Sequence, residues 1–177
     1  MKKWIIGCLI AAISVFAAGC GSTPSAGAKA GQPHTAQAAP DAMKASDLQL
    51  KTLDGKTAVS LKELYKDTPV YLNFWASWCP PCVREMPHIE ALQKQYGDKI
   101  RFAAVTMDQN PADARAFIQD KGLTLPVYTG NLQAIAQLYD VSAIPVSLLI
   151  GTDGTILAKH VGAMDEAELK QFLQPAL

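Results

Sequence analysis

The feature that most restricts how this chain can fold is the junction at Cys79-Pro80-Pro81-Cys82. The segment before it, Pro69 to Trp75 (Pro-Val-Tyr-Leu-Asn-Phe-Trp), is nearly all apolar, the pattern of a central strand buried on both faces. From Pro80 to about Tyr96 the spacing changes, with Met86, Ile89, Leu92 and Tyr96 on one helical stripe and Gly97 as a stop. Pro80 and Pro81 suit a first helical turn, where a missing N–H costs little. The cysteine pair is therefore expected where a buried strand gives way to a helix.

That placement has chemical consequences. Two cysteines with two residues between them can close a small disulfide ring. The first sits at a helix N-terminus, where free N–H groups and the helix dipole favour an anion, so its thiolate is stabilised. The thiolate is the attacking species in thiol–disulfide exchange. Cys79 is thus the candidate nucleophile, and Cys82, further into the helix and more buried, the candidate resolver. The two prolines also remove amides that could stabilise the Cys79 thiolate, so a depressed but not extreme pKa is expected. A structural staple would have no need of Trp75 and Trp78 beside it. Zinc would require two further ligands, and His34, His88 and His160 are not spaced as a pair. His88 is expected at the surface, and no metal or cofactor is expected.

The remaining chain reads as alternating elements. Asp47 to Lys51 and Lys56 to Val59 flank Asp54-Gly55, a hairpin signal. Ser60-Leu61-Lys62-Glu63 reads as a capping box opening a short helix to about Tyr65. Ile100 to Met107 is a second buried strand. Asn110-Pro111 begins a helix that Lys121-Gly122 ends, Pro126 to Tyr128 is a short strand, and Asn131 to about Tyr139 a further helix. Pro145 to Ile150 and Ile156 to Val161 form a hairpin about Thr152-Asp153-Gly154-Thr155, and Asp165 to Gln174 closes the chain as an amphipathic helix. The expectation is an α/β domain over 44–177, with a central mixed sheet covered by helices on both faces.

The N-terminus bears on compartment. Lys2 and Lys3 precede the apolar stretch Trp4 to Ala18, which is short for a membrane span of roughly 20 residues and reads as a signal peptide over 1–19. Ala17-Ala18-Gly19-Cys20 resembles a lipobox, in which Cys20 receives diacylglycerol; Ala17 stands where Leu is usual. Ordinary cleavage that leaves Cys20 as a plain thiol is the alternative. With Cys8 removed and Cys20 lipidated, only Cys79 and Cys82 remain, so no separate disulfide framework is expected. Gly21 to about Asp41 holds no large apolar residue and is read as part of a tether over 20–43. Without residues 1–19 the chain carries 14 basic and 16 acidic residues, a balance that gives no footprint for nucleic acid.

Asn73 through Pro87 (Asn-Phe-Trp-Ala-Ser-Trp-Cys-Pro-Pro-Cys-Val-Arg-Glu-Met-Pro) resembles the active-site segment of the TlpA/ResA-like thiol–disulfide oxidoreductases, membrane-tethered relatives of thioredoxin. The resemblance runs from about Ala45 to the C-terminus and includes Val141-Ser142-Ala143-Ile144-Pro145. It implies a thioredoxin fold with an N-terminal β-hairpin and a central helix–strand insertion. It also implies that Pro145 is cis and faces the disulfide, so that Trp78, Ile144 and Pro145 cradle an extended substrate strand. Local sequence alone leaves a trans Pro145 open. Thioredoxin carries a buried Asp where Asn73 stands, and Asn cannot accept a proton from the resolving Cys. In the ResA-like branch an acid follows the second Cys by three residues, which Glu85 matches; the expected role is to tune the cysteines and move a proton. The alternative is an ordinary exposed helix Glu.

The resemblance further implies an extracytoplasmic reductase of protein disulfides, anchored to the bacterial membrane and re-reduced by a membrane electron donor of the CcdA/DsbD type. Apocytochrome c, other secreted disulfide proteins and a methionine sulfoxide reductase are the candidate substrates. Rival expectations are a net disulfide oxidase, or a non-catalytic lipoprotein that binds a partner through its thioredoxin-like surface. The stretch from Cys82 to Pro145 is short for the helical insertion of a DsbA-type oxidase.

Overall fold

A computed structural model describes residues 43–177; the expected signal peptide, Cys20, His34 and most of the expected tether lie outside the described residues. The elements follow the order β1 (Gln49–Thr52), β2 (Ala58–Ser60), α1 (Leu61–Tyr65), β3 (Val70–Trp75), α2 (Pro80–Tyr96), β4 (Arg101–Thr106), α3 (Pro111–Lys121), β5 (Val127–Gly130), α4 (Leu132–Tyr139), β6 (Val146–Ile150), β7 (Ile156–Val161) and α5 (Glu166–Leu173), with a final 3₁₀ turn at Gln174–Ala176.

The strands form one seven-stranded sheet in the order β2-β1-β5-β4-β3-β6-β7. β3, β4 and β5 run parallel, and the other pairings are antiparallel. All residues of β3 are buried, as its apolar run requires. Because side chains alternate across a strand, Tyr71 and Trp75 face a core built with α2, α3 and α5, where Met86, Ala114 and Phe172 lie. Leu72 and Phe74 face the opposite core with Leu61 and Leu64 of α1 and Ile135 of α4. The expected α/β thioredoxin fold, its mixed sheet covered on both faces, is thus present.

The caps account for the helix starts. Ser60 accepts from the Glu63 backbone N–H, while the Glu63 carboxylate pairs with Lys66 at 2.8 Å. Asn110 and Asn131 cap α3 and α4 in the same way, and Gly122 ends α3 in the left-handed region at φ 60°. At α5 the reciprocal capping box between Asp165 and Glu168 is complete.

The expected N-terminal hairpin is present, and β1 also pairs with β5, so the hairpin extends the sheet. That pairing also carries β5 on to Gly130, beyond the expected end at Tyr128: Leu50 lies opposite Gly130, a long-range contact that local sequence does not encode.

Candidate active site

Trp75 ends β3 and, after a short loop, Cys79 caps α2. The Cys79 backbone is extended (φ −95°, ψ 104°) and its Sγ accepts from the Cys82 N–H at 3.3 Å. With Pro80 and Pro81 in the first turn, the next amide in line is that of Val83, which bonds the Cys79 carbonyl at 3.0 Å. Cys79 and Cys82 are joined in a disulfide, their Cα atoms 5.3 Å apart. Both are buried, but only Cys79 lines the recess that opens beside the pair.

That recess, about 470 Å³, is walled by Trp78, Pro81, Met107, Val141 and Ile144, and none of its lining residues is charged. Trp78 stands 66% exposed at its edge, the opposite of Trp75, which is fully buried and tilted against Phe117 with ring centroids 5.4 Å apart. Trp75 is therefore a core residue. The Ile144–Pro145 peptide bond is cis, as expected, and the Ile144 carbonyl oxygen lies 3.7 Å from Cys79 Sγ. The geometry brings Cys79, Trp78 and Ile144 to one recess; Pro145, next in the chain, is not among the residues that line it.

Glu85 is not an ordinary exposed helix residue. It is 1% exposed, one turn beyond Cys82, and its Oε1 accepts from the Met164 backbone N–H at 3.0 Å. Its Oε2 is buried without a hydrogen-bond partner. Burial pushes the Glu85 pKa up to about 7, opposed by the Met164 amide and by the Asn73 side chain. Asn73 belongs to a buried polar cluster on the same face of the sheet: its Nδ2 donates to Ser147 Oγ at 3.1 Å, and Ser147 Oγ bonds the Tyr71 hydroxyl at 2.9 Å. Burial, with the nearby Glu85 charge, holds the Tyr71 hydroxyl well above its ordinary value.

Asp108 is the participant that sequence reasoning missed. It is 3% exposed just past the end of β4. Oδ2 accepts from the Ser77 N–H at 3.0 Å and from Thr106 Oγ1 at 2.6 Å, and Oδ1 accepts from Ser77 Oγ at 2.7 Å. Asp108 thereby fixes the loop that carries Trp78 and Cys79. The available signal was its position, since sites in parallel sheets gather at the carboxyl ends of the strands.

His88 is half-buried rather than fully at the surface, and it lies near enough to Glu166 of α5 to lower that carboxyl's pKa. Among the described residues no group of three or more His, Cys, Asp or Glu is placed to hold a metal ion, and no helix is long and apolar enough to cross a membrane.

Comparison with known proteins agrees with this geometry. The redoxin family model matches residues 35–173. Among curated relatives, the thioredoxin-like protein YneN of Bacillus subtilis is 38% identical over 136 residues, 75% of this chain and 78% of YneN. The thiol–disulfide oxidoreductase ResA of Halalkalibacterium halodurans is 31% identical over 132 residues, 74% of each chain. Among solved structures, the pneumococcal exposed lipoprotein thioredoxin Etrx1 of Streptococcus pneumoniae superposes with a TM-score of 0.61 at 28% identity, covering 73% of this chain and 99% of Etrx1. A disulfide at the head of α2, an uncharged recess and this breadth of similarity lead to one conclusion: the chain belongs to the redoxin family, and within it to the ResA-like thiol–disulfide oxidoreductases.

Proposed function

We propose that this protein is an extracytoplasmic reductase of disulfides in secreted proteins, held at the membrane by lipid on Cys20. The observation that carries the reading is the position of Cys79 Sγ, at the N-terminus of α2 and on the wall of an open, uncharged recess that Cys82 does not line. In the reduced protein, Cys79 thiolate attacks one sulfur of the substrate disulfide. A Cys79–substrate disulfide forms and the other substrate sulfur leaves as a thiolate. Cys82 then attacks Cys79 Sγ, the second substrate thiolate leaves, and two electrons have passed from the protein to the substrate.

Glu85 is the proton acceptor for Cys82 as it becomes a thiolate. A carboxyl with a pKa of about 7 can take up and release a proton near neutrality. Trp78, Ile144 and Pro145 position the substrate, the Ile144 backbone offering an extended strand a temporary sheet neighbour. The direction of electron flow rests on the amides around Cys79. A strongly oxidising pair is one whose reduced form is stabilised, and here the two prolines leave the Cys82 N–H as the helix-start amide bonded to Cys79 Sγ.

The protein, left with its Cys79–Cys82 disulfide, is re-reduced by a membrane donor of the CcdA/DsbD type. Candidate substrates are the haem-binding thiols of apocytochrome c, other secreted disulfide proteins and a methionine sulfoxide reductase. The lipoprotein reading draws support from Etrx1, which is itself an exposed lipoprotein. The test is to express Cys82→Ser in cells and identify what is attached to it. The expected catch is secreted cysteine-bearing proteins, released by dithiothreitol and absent from Cys79→Ser. Equal catches from the two variants would refute the reading.

A further inference from the structure

Sharing Trp78 and Met107 with the uncharged recess is a second one, of about 460 Å³, also bounded by Asp108, Asn110, Asp113 and Leu132. Trp78 and Met107 wall both recesses, so the second continues the surface that begins at Cys79. Its chemistry differs. Two carboxylates line it and no cation does. Asp108 is held in place by its hydrogen bonds from Ser77 and Thr106, which leaves Asp113 as the exposed carboxylate of the recess. Asp113, exposed in the first turn of α3, is in none of the ion pairs among the described residues. Leu132 and the Trp78 ring supply apolar surface along which an aliphatic stem can lie while its charged head reaches Asp113.

We propose that this recess is a second substrate subsite, which takes a Lys or Arg carried by the substrate polypeptide a few residues from its reactive cysteine, with Asp113 as the residue that sets this specificity. The proposal rests on the exchange reaction at Cys79 and names a class of preferred substrate for it. A polypeptide lying along Ile144 in extended form advances about 3.3 Å per residue, so a side chain within some four positions of the cysteine is in range. Acidic side chains at those positions face uncompensated carboxylates and are disfavoured.

The experiment uses the full reduced protein and a panel of disulfide-bonded peptides. One Lys, Gln or Glu is moved stepwise through the four positions on either side of the cysteine, and kcat/KM is read at low and high salt. At the favoured position Lys is reduced about three- to fivefold faster than Gln, the scale of one exposed charge pair, chiefly through KM. Glu is slower than Gln, and high salt compresses the series. In Asp113→Asn the Lys-to-Glu ratio falls toward one, in Asp113→Glu it is retained, and in Asp113→Lys it inverts. Rates blind to peptide charge, or a Lys preference unchanged in Asp113→Asn and Asp113→Lys, overturn the subsite. Reduction of a small uncharged disulfide by the unaltered protein is read in parallel. Its absence overturns the exchange site and the subsite together, whereas its presence with charge-blind peptides overturns the subsite alone.

Discussion

Glu85 separates what a residue's identity reveals from what its surroundings decide. Its spacing from Cys82 is visible in the chain, but its burial is closed by the Met164 backbone, 79 positions away. A carboxyl whose folded pKa is about 7 and whose ordinary value is 4.5 holds its proton in the folded state over a range where the unfolded chain has lost it. The folded state thus binds more protons between these values, and stability falls as pH rises from 4.5 through 7. Below that window both states are protonated and the group contributes nothing. Above it, the buried charge costs up to about 3 kcal/mol, at roughly 1.36 kcal/mol per pKa unit. Glu85→Gln keeps an acceptor for Met164 and carries no charge. The oxidised variant is therefore expected to match the parent in unfolding free energy by chemical denaturation near pH 4 and to exceed it by that order at pH 8. In the reduced state Glu85→Gln is also expected to shift the cysteine titration and slow exchange; unchanged thiol titration and rate would remove Glu85 from the proton path. Pro145 was legible through its family pattern rather than its own chemistry, and Asp108 only through its position at a strand end, because its partner Ser77 lies 31 residues away, at the end of a strand that the sheet brings alongside.

Helices and strands were read from the chain with few errors because each start carries its own cap and each buried strand its own apolar run. Asn110 before Pro111 and Gly122 after Lys121 bracket α3 by local chemistry alone. The departures occur where one element depends on another. β5 is lengthened by β1. The loop between α3 and β5 is held by α2, through the Glu90 carboxylate, which accepts from the Thr124 N–H and Oγ1 and from the Leu125 N–H at 2.6 to 3.2 Å while pairing with Lys94 at 3.1 Å. No local pattern announces that clasp. Glu90→Ala removes the acceptor from a buried amide at Leu125 and is expected to cost about 1–3 kcal/mol of stability by chemical denaturation. Amide exchange should accelerate at Thr124 and Leu125 with no comparable change at Cys82. A loss below the error of the measurement would mean that water takes over the clasp.

At the scale of the whole molecule, β6 connects two opposite ends. The Ile144 carbonyl oxygen, just before β6, lies 3.7 Å from Cys79 Sγ; beyond the last residue of β6 is the turn where Gly154 accepts from the Ala45 N–H and Met43 accepts from the Ile156 N–H. The described chain therefore begins at the end of the sheet away from Cys79. The face at Cys79 gathers residues from the head of α2 and from the loops that follow β3, β4 and α4; the sequence pointed to Trp78, Cys79 and Ile144 but not to Met107 or to the recess they enclose. The central claim is that Cys79 attacks and Cys82 resolves. Its most direct test is to mix purified, reduced Cys82→Ser and Cys79→Ser with one disulfide-bonded peptide and to follow the intact mass. Cys82→Ser is expected to gain one peptide rapidly, on Cys79, in a bond that dithiothreitol releases, while Cys79→Ser stays at its own mass over the same interval. Faster adduct formation on Cys82 in Cys79→Ser, or none on either variant, would contradict the claim.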